Sequence, residues 1–500
     1  MNKKLLIIKP DHIGDYILFF NYLKIIKNSK KFIGYNIYFL GNERIREMAE
    51  FLNDDIVYKF FWLDIGKYSQ ADWYTQLRNN EILENSYDTV LNLKFFAYNQ
   101  LEDLIYKINS SDKICVKTIS EKEQKIYTKD QEKKYNQVID ISNHKIFKFE
   151  RFRLAFEKLL EETISITNPR LQIHSDFTID SPYIVIFIGS DAKFRKWNID
   201  NYIKVIQYIL ENFNVSIIIT GGQSESKDGI YIQEIINNKR VLNLVNQTTT
   251  VDLLKIIANS SFIISNETGS VHISMALDIP TLVISNGNSF GKFTPYPKSY
   301  TNKYFALYPF EIKSQNDYDK YRELYYIFPS DLDINNISTK KVISNIKNLF
   351  IRFNITILKT KSNIKNTVLE PKYHLSKSQK NDNYLFSFMF SRLHHSIEKL
   401  KDINQKFIIY GNTSLSKYLL KELSDSIVCI IDKQSNDVSK VIERNKIYSL
   451  NNLKYINYNK IIISVLGREN EIMDDLVDNY QVKKSNIIIF KILKKDYVGC

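Results

Sequence analysis

The stretch FIISNETGSVHISMAL, residues 262–277, determines the fold class of its part of the chain. It opens with apolar, largely β-branched residues that are typical of a buried strand. The polar letters NETG (266–269) interrupt this run, and the following letters place apolar residues at helical spacing. A strand that passes through a short polar turn into a helix is the repeating element of parallel α/β sheets.

The same alternation of short β-branched runs and helix-length stretches extends over most of the chain and predicts parallel sheets covered by helices. The first series of predicted strands is KLLIIK (4–9), YNIYFL (35–40), DIVYKFF (55–61), YDTVLNL (87–93), KICVK (113–117) and NQVIDI (136–141), and a helix from Phe149 to about Glu162 follows it. The second series is YIVIFIG (183–189), VSIIITGG (215–222), RVLNL (240–244), SFIIS (261–265) and PTLVIS (280–285), and a helix from Ser338 to about Phe350 closes it. We therefore predict two α/β domains, residues 1–170 and 171–352, with a ligand cleft between them.

The remaining residues predict a linker and a third, smaller unit. Residues 353–400 form a predicted linker and helix, and the stretch from about Lys359 to Asn383 is polar. Residues 383–400 have apolar residues at helical spacing, which favours a helix packed on a neighbouring domain over one on a membrane surface. Residues 401–500 begin a third Rossmann-like α/β domain. Its Asp432 follows Gly411 by 21 residues, which suits a dinucleotide ribose, but the second and third glycines of the fingerprint are missing. A scaffold or partner-docking role is therefore favoured for this domain.

Composition excludes several classes of protein. The chain is 44% hydrophobic and 25% charged, as in ordinary soluble domains, and no apolar run reaches the roughly 18 residues that span a bilayer. The net charge of +13 comes from scattered lysines without a nucleic-acid motif. Biased codon usage or a weak preference for an anionic membrane surface explains this charge better than nucleic acid does. Three widely separated cysteines indicate neither disulfides nor zinc, so we expect a cytoplasmic protein.

The stretch IIKPDHIGDYILFF (7–20) supplies a candidate catalytic carboxylate. The strand ends at Lys9 and a helix is predicted to start near Gly14, so Asp15 lies where ligands of open α/β sheets bind. Asp15 could act as a general base. On spacing alone, a carboxylate that only interacts with the helix dipole is the commoner role.

Two loops after strands are candidate phosphate sites. In IGSDAKFRKWNIDNY (188–202), a strand ends at Gly189 and Ser190 and a basic loop follows that contains Lys196. Such a loop suits a phosphate, although a solvated basic loop has the same pattern. In ITGGQSE (219–225), the glycine pair that ends at Gly222 allows a ligand to approach closely or simply forms a turn.

The turn within residues 262–277 is a candidate anion site. Thr268 is a suitable N-cap residue, and the backbone N–H groups of Gly269 and Ser270 would point out of the helix with its positive dipole end. The ring of His272 could reach the same anion. A single histidine on a helix is more often structural, so this residue alone does not decide the function.

Taken in order, these motifs resemble glycosyltransferase family 9, the bacterial heptosyltransferases of lipopolysaccharide core assembly. The matching text is LLIIKPDHIGDYIL, IGSDAKFRKWNIDNY, IIITGGQSE, the segment from VLNLVNQ (241–247) through ETGSVHISMALDIPTLVI, and FTPYP (293–297). The resemblance covers roughly residues 1–350. It implies a GT-B fold, in which two Rossmann-like domains face each other, with the acceptor mostly on the first domain and the nucleotide-diphosphate donor mostly on the second.

The resemblance also implies roles for individual residues and a reaction. It matches Asp15 to the catalytic base, Lys196 to the lysine that binds the donor phosphate, and residues Thr268, Gly269 and His272 to the diphosphate-binding turn. Glu225 would lie near the ribose, and Gly189, Ser190, Gly222 and Glu267 complete the expected donor site. The implied reaction is inverting transfer of heptose from ADP-heptose to a hydroxyl group of a lipid-linked or other surface glycan, with no cofactor or metal and with peripheral contact with the inner membrane.

One position departs from the family pattern, and it keeps two other functions open. The family usually has Asp-Thr-Gly where this chain has Glu267-Thr268-Gly269. Glutamate reaches one methylene further, so this departure bears on the identity of the donor more than on the fold. A protein that binds a nucleotide sugar for regulation, without transferring it, is one alternative. A sugar-nucleotide epimerase on the same fold is another, since it would change the donor without an acceptor.

Overall fold

The computed structural model of the 500-residue chain divides into two compact units, Met1–His374 and Leu375–Cys500. In the first unit, the structure describes residues 2–93, 99–118, 129–179 and 181–355. In the second unit, it describes residues 400, 405–410, 419, 423, 426–431, 441–442, 445–448, 453–454, 456–463 and 469–489.

The first unit begins with a six-stranded parallel sheet of order β3-β2-β1-β4-β5-β6. Its strands are β1 (Lys4–Lys9), β2 (Asn36–Asn42), β3 (Val57–Leu63), β4 (Tyr87–Asn92), β5 (Ser110–Lys117) and β6 (Gln137–Asp140). Its helices are α1 (Ile13–Asn28), α2 (Arg46–Phe51), α3 (Ile65–Gln70), α4 (Asp72–Leu83), α5 (Asn99–Lys107), α6 (Lys129–Glu132) and α7 (Lys148–Leu160).

A second six-stranded parallel sheet follows, of order β12-β11-β10-β7-β8-β9. Its strands are β7 (Tyr183–Phe187), β8 (Ser216–Thr220), β9 (Val241–Asn243), β10 (Phe262–Asn266), β11 (Thr281–Ile284) and β12 (Tyr304–Leu307). Its helices are α8 (Ile199–Asn212), α9 (Ser226–Ile236), α10 (Thr250–Ala258), α11 (Gly269–Ala276), α12 (Gln315–Tyr325) and α13 (Thr339–Arg352).

Both sheets have the doubly wound Rossmann order. The strands β7 and β10 occupy the places in the second sheet that β1 and β4 occupy in the first. The strand order reverses between β1 and β4 and again between β7 and β10. Ligands of such sheets bind in the crevice beyond the carboxyl ends of these strands. The fold therefore marks the residues after β1, β7 and β10 as the place for a site.

The two domains of the first unit share one continuous apolar core. It includes Phe19 of α1 and Phe152 of α7 from the first domain, and Val271 and Ile273 of α11 from the second. The helices α1 and α11, which begin at the two switch points, pack directly against each other. Burial of apolar side chains from both domains thus holds the two domains together.

The predicted strands of both series coincide with observed ones to within about three residues at each end, and the two predicted helices that close these series correspond to α7 and α13. The sequence analysis did not predict β12 and α12. The strand β12 has only four residues at the edge of the sheet. The helix α12 is mostly polar, and next to it Phe290, Tyr308, Ile312 and Tyr321 form a small separate core.

The second unit contains a third sheet of order β15-β16-β14-β13-β17-β18. Its strands are β13 (Phe407–Tyr410), β14 (Ile427–Ile431), β15 (Val441–Ile442), β16 (Asn445–Tyr448), β17 (Lys460–Ile463) and β18 (Ile487–Ile489), and its helix α14 spans Glu469–Asp478. All pairings except that of β15 with β16 are parallel. This agrees with the predicted small Rossmann-like domain. Gly411, Asp432 and the predicted helical stretch over residues 383–399 lie outside the described residues.

Among the described residues, the structure has no helix that is both long and apolar enough to cross a membrane.

Candidate functional site

The first turns of α1 and α11 meet at the cleft between the two domains. A Cβ atom on Gly14 would lie 2.6 Å from Cδ2 of His272, and one on Gly269 would lie 3.0 Å from Cγ2 of Ile13. Glycine at both positions lets the two helices approach this closely. The N-termini of both helices, with their positive dipole ends, are therefore brought to one place.

Asp15 lies in the first turn of α1 and is paired with a lysine from α7. Its Oδ1 atom lies 3.1 Å from Nζ of Lys148, and the two side chains are 19% and 7% exposed. Burial opposes ionisation of Asp15, but the nearby ammonium groups outweigh it, Lys148 most strongly, and hold the pKa of Asp15 below its ordinary value. The pKa of Lys148 is lowered to about 8, because burial outweighs the attraction of Asp15. Asp15 is therefore an ionised, partly accessible carboxylate.

Further charges lie behind this pair. Lys9, at the end of β1, is buried, and its Nζ atom donates a hydrogen bond of 2.6 Å to Oδ2 of Asp11. The charges of Lys9, Asp11 and Lys292 all act on the pKa of Asp15. Lys292 comes from the loop between β11 and β12, so the second domain also contributes to the electrostatics around Asp15.

His272 is a neutral, buried imidazole on the other side of the same contact. Its Nδ1 atom lies 2.6 Å from the hydroxyl oxygen of Tyr296, and its ring packs against Phe293 and Tyr296. Burial lowers its pKa to about 4, although Asp15 acts in the opposite direction. At neutral pH the ring has one N–H donor and one acceptor nitrogen, and Tyr296 occupies one of the two.

Thr268 occupies the N-cap position of α11, as predicted, but its side chain does not cap the helix. Its hydroxyl group forms a hydrogen bond of 2.7 Å with that of Ser270, which in turn forms one of 2.8 Å with that of Ser265. The hydroxyl chain therefore satisfies the side chain of Thr268 without using the N–H groups of the helix end. Those groups are the ones that an anion at a helix N-terminus would meet.

Glu267 is buried between β10 and α11. Its Oε2 atom accepts a hydrogen bond of 2.5 Å from the hydroxyl of Ser285, at the end of β11. Burial raises its pKa to about 7, while Ser285 and the charge of Arg195 act in the opposite direction. The glutamate that stands at the aspartate position of the family pattern is therefore a buried carboxyl group with a raised pKa.

Asn266 joins the loops that follow two strands, and the sequence analysis did not identify it. Its Nδ2 atom donates to the carbonyl oxygens of Ile188 and Gly189, at 3.0 and 3.2 Å. Its Oδ1 atom accepts from the backbone N–H of Trp197 and the hydroxyl of Tyr202, at 3.2 and 2.9 Å. The available signal for Asn266 was its polar side chain at the last position of a strand that is buried throughout.

Lys196 and Glu225 lie together at the carboxyl ends of β7 and β8. Nζ of Lys196 is 2.9 Å from Oε1 of Glu225 and 3.0 Å from Oδ2 of Asp228. Burial acts against the charge of Lys196, but the hydrogen bonds with these carboxylates raise its pKa above the ordinary value. Lys196 is therefore a cation held by two carboxylates.

Glu225 also fixes the predicted glycine loop. It accepts hydrogen bonds from the backbone N–H of Gly222, at 3.0 Å, and from the hydroxyl of Ser224, at 2.6 Å. A Cβ atom on Gly189 would lie 2.9 Å from Oε2 of Glu225, so the loop after β7 touches the loop after β8. Ser190 is half-buried, and its hydroxyl accepts a weak hydrogen bond of 3.4 Å from the N–H of Ala192.

The predicted residues thus lie in two adjoining groups. One comprises Asp15, Thr268, Gly269 and His272 at the contact of the two domains, and the other comprises Gly189, Ser190, Lys196, Gly222 and Glu225 on the second domain. Asn266 and Glu267 directly precede Thr268 in the chain. Asn266 bonds to the loop after β7, and Glu267 bonds to Ser285 at the end of β11. Lys148, Asp228 and Tyr296 were not predicted as site residues. Lys148 and Asp228 carry no local signal, whereas Tyr296 lies within FTPYP (293–297), one of the matching segments.

Two further observations concern what the described residues could hold. No three histidine, cysteine, aspartate or glutamate side chains converge on a point where they could bind a metal ion, as far as the described residues show. A cavity of about 930 Å³ lies on another face of α1, between Phe20, Phe51 and Ile164. None of the predicted site residues lines it, so its size does not bear on the cleft at Asp15.

Comparison with known proteins supports the resemblance found in the sequence. Residues 123–321 match the family model described as glycosyltransferase family 9 (heptosyltransferase), and residues 403–488 match one described as C2185-like, N-terminal. A Haemophilus influenzae protein described as "Putative glycosyltransferase" is 25% identical over 165 residues. That alignment covers 33% of this chain and 43% of the relative, so less than half of the curated relative is matched.

Solved structures confirm the GT-B fold. E. coli heptosyltransferase WaaC with ADP-2-deoxy-2-fluoro heptose aligns with a TM-score of 0.51 at 15% identity, over 69% of this chain and 99% of that one. E. coli ADP-heptose lps heptosyltransferase II aligns with a TM-score of 0.52 at 16% identity, over 70% and 99%. A family 9 glycosyltransferase from Veillonella parvula aligns with 0.53 at 14% identity, over 70% and 97%. At these identities the alignments establish the fold and leave the reaction to the site.

Proposed function

We propose that this chain, which is similar to family 9 glycosyltransferases, is an inverting glycosyltransferase that uses a nucleotide-diphosphate sugar. The observation that carries the proposal is the close contact between the first turn of α1, which holds the ionised Asp15, and the first turn of α11. A base and an anion site that face each other are what such a transfer requires.

In the proposed reaction, Asp15 accepts the proton of the acceptor hydroxyl. The acceptor oxygen then forms a bond with the anomeric carbon of the sugar, and the bond between that carbon and the diphosphate oxygen breaks. The electron pair of the broken bond goes to the leaving diphosphate. Since attack and departure occur on opposite faces, the configuration at the anomeric carbon inverts.

The leaving diphosphate needs positive groups, and the chain offers several without a metal. The N–H groups of Gly269 and Ser270 and the dipole of α11 would bind its oxygens. Lys196 would move from its carboxylates towards a phosphate. His272 is neutral at pH 7, so we assign it a hydrogen bond to the diphosphate and no charge.

The donor site would extend over the loop that Glu225 holds. Gly189 lets the loop after β7 pack directly on Glu225, and the backbone N–H of Gly222 donates to the same carboxylate. Ser190 supplies a half-buried hydroxyl beside them. Two hydrogen bonds occupy Oε1 of Glu225 and one occupies Oε2. One acceptor position on Oε2 is then left for a ribose hydroxyl. Glu267, with its pKa of about 7, would lie beside the diphosphate turn.

We propose ADP-heptose as the donor, since structures of similar fold contain ADP or an ADP-heptose analogue. The acceptor is proposed to be a hydroxyl group of a lipid-linked or other bacterial surface glycan, and the compartment to be the cytoplasm. Peripheral contact with a membrane stays a prediction.

The first test is calorimetric binding of ADP-heptose, compared with ADP-, UDP- and GDP-hexoses. We expect clear preference for ADP-heptose, followed by transfer to a glycan acceptor. Preference for another nucleotide would leave the proposal of a glycosyltransferase in place and would count against the transfer of heptose. Saturable binding without transfer to any glycan would favour a regulatory binding protein, and a changed sugar without acceptor would favour an epimerase.

The second test is Asp15→Asn, which keeps the shape of the side chain and removes its basicity. A general base contributes roughly 10²–10⁴-fold to rate, so we expect transfer to fall by at least about 100-fold while donor binding is retained. Asp72→Asn, in the exposed first turn of α4, is the matched control. Transfer near the wild-type rate in Asp15→Asn would exclude Asp15 as the base.

A further inference from the structure

Lys148, the first residue of α7, is the nearest charged partner of Asp15. Its ammonium group lies 3.1 Å from Oδ1 of Asp15 and is almost completely buried. We infer that Lys148 is a positioning residue, which holds one carboxylate oxygen of Asp15 so that the other faces the acceptor hydroxyl. This inference rests on the proposed role of Asp15 as the base.

The need for such a partner follows from the surroundings of Asp15. The titratable groups that face it come from the end of β1, from α7, from the loop after β11 and from α11, and they are Lys9, Asp11, Lys148, Lys292 and His272. Burial and the charge of Asp11 both favour the protonated form of Asp15, and the three lysines oppose them. Of these lysines, Lys148 acts most strongly. Its removal would therefore shift the balance towards the protonated acid, which cannot accept a proton.

The second domain fixes the position of Lys148. The backbone N–H of Lys148 donates a hydrogen bond of 2.8 Å to the carbonyl oxygen of Lys292. The preceding ring, of Phe147, packs edge-on against Tyr296 and Tyr300, at centroid distances of 4.7 and 5.7 Å. The base on the first domain thus has its ionised state and its orientation set by a lysine that is anchored to the second domain.

The pH dependence of kcat/KM separates this role from a structural one. In Lys148→Met, we expect the acid limb of the profile to move to higher pH by at least about one unit. Lys148→Arg keeps the positive charge, so its acid limb should stay near that of the wild type. A residue that only supports packing would lower the rate equally at every pH. Lys158→Met, exposed on the same helix, is the control.

The alkaline limb gives a second readout, which does not require Lys148→Met to fold. The pKa of Lys148 is about 8, so the wild-type rate should decline above that pH as the ammonium group loses its proton. Arginine does not titrate in this range, so Lys148→Arg should retain its rate to higher pH.

The outcomes are distinguishable from those of the proposed function. If Asp15→Asn still transfers sugar, the proposed base is wrong and so is this inference. If Asp15→Asn is inactive but Lys148→Met keeps the acid limb of the wild type, the inference about Lys148 is overturned and the proposed base remains. An alkaline limb of Lys148→Arg that coincides with that of the wild type would likewise count against it.

Discussion

Gly14 on α1 and His272 on α11 approach so closely that a methyl group on Gly14 would lie 2.6 Å from Cδ2 of the imidazole. The contact joins the two domains at the point where Asp15 follows Gly14 in the chain. A glycine within a helix costs about 1 kcal/mol relative to alanine, so its presence here serves the contact and not the helix.

Gly14→Ala is therefore expected to lower transfer although it favours the helix. The added methyl group must displace either His272 or the first turn of α1, which carries the proposed base. We expect transfer to fall by at least about tenfold, since such displacements of a site are costly. Steady-state kinetics with saturating donor measures this.

Gly66→Ala in α3 is the matched control, because its new Cβ would meet only the side chain of Asp64, at 3.4 Å. A Gly14→Ala enzyme within twofold of the wild-type rate would show that the close contact has no part in catalysis.

Tyr296→Phe should impair the site through His272. The change keeps the ring that packs on Phe147 and removes the hydroxyl group that holds Nδ1 of His272. An unpaired buried polar atom costs about 1–3 kcal/mol, and the tautomer of the ring would no longer be fixed. We expect kcat to fall by about tenfold, measured beside Tyr300→Phe, whose hydroxyl donates to Glu150 away from His272. Equal rates in the two variants would contradict the prediction.

Lys196→Ala should weaken donor binding. It removes a cation from the proposed donor site and leaves the carboxylates of Glu225 and Asp228 without their ion-pair partner. A charge-assisted hydrogen bond contributes about 1.5–3 kcal/mol, so calorimetry should show a Kd that is about 10–100-fold higher. Lys204→Ala, exposed on α8, should bind donor as the wild type does. An unchanged Kd in Lys196→Ala would remove this lysine from the donor site.

Glu267→Gln should stabilise the protein at alkaline pH. The carboxyl pKa is about 7 in the folded chain against an ordinary 4.5, so the folded state binds the proton more tightly. Stability from this group is therefore complete below pH 4.5 and is lost as pH rises through 7, by on the order of 3 kcal/mol. Glutamine does not titrate, so the variant should match the wild type near pH 5 and melt several degrees higher at pH 8.

Thermal unfolding at the two pH values measures the effect of Glu267→Gln, with Glu234→Gln, exposed on α9, as the control. A Glu267→Gln protein that melts at or below the wild-type temperature at pH 8 would show that ionisation of the buried carboxyl group does not destabilise the folded protein.

Local sequence predicted the elements that form the site. The strand at residues 4–9 was predicted with its observed ends, and the helix start expected near Gly14 is at Ile13. Strand and helix periodicities are properties of neighbouring residues, so they can be read without the rest of the chain. The same holds for the turn at Glu267–Gly269, which lies at the N-terminus of α11 as expected.

Only the tertiary structure decided which side chains meet. The sequence placed Asp15 and Lys196 at strand ends but did not reveal that Lys148 pairs with the first, or that Glu225 and Asp228 both pair with the second. It indicated an N-cap at Thr268, yet the hydroxyl of Thr268 bonds to Ser270 instead. These partners are distant in the chain or compete with one another, and burial determines both which contacts form and how strongly charges act. The amino-acid sequence thus determined the strands, the turns and the order of the motifs. The packing of the two domains determined the ionised state of Asp15 and the neutral state of His272, because both states depend on groups that only the folded chain brings together.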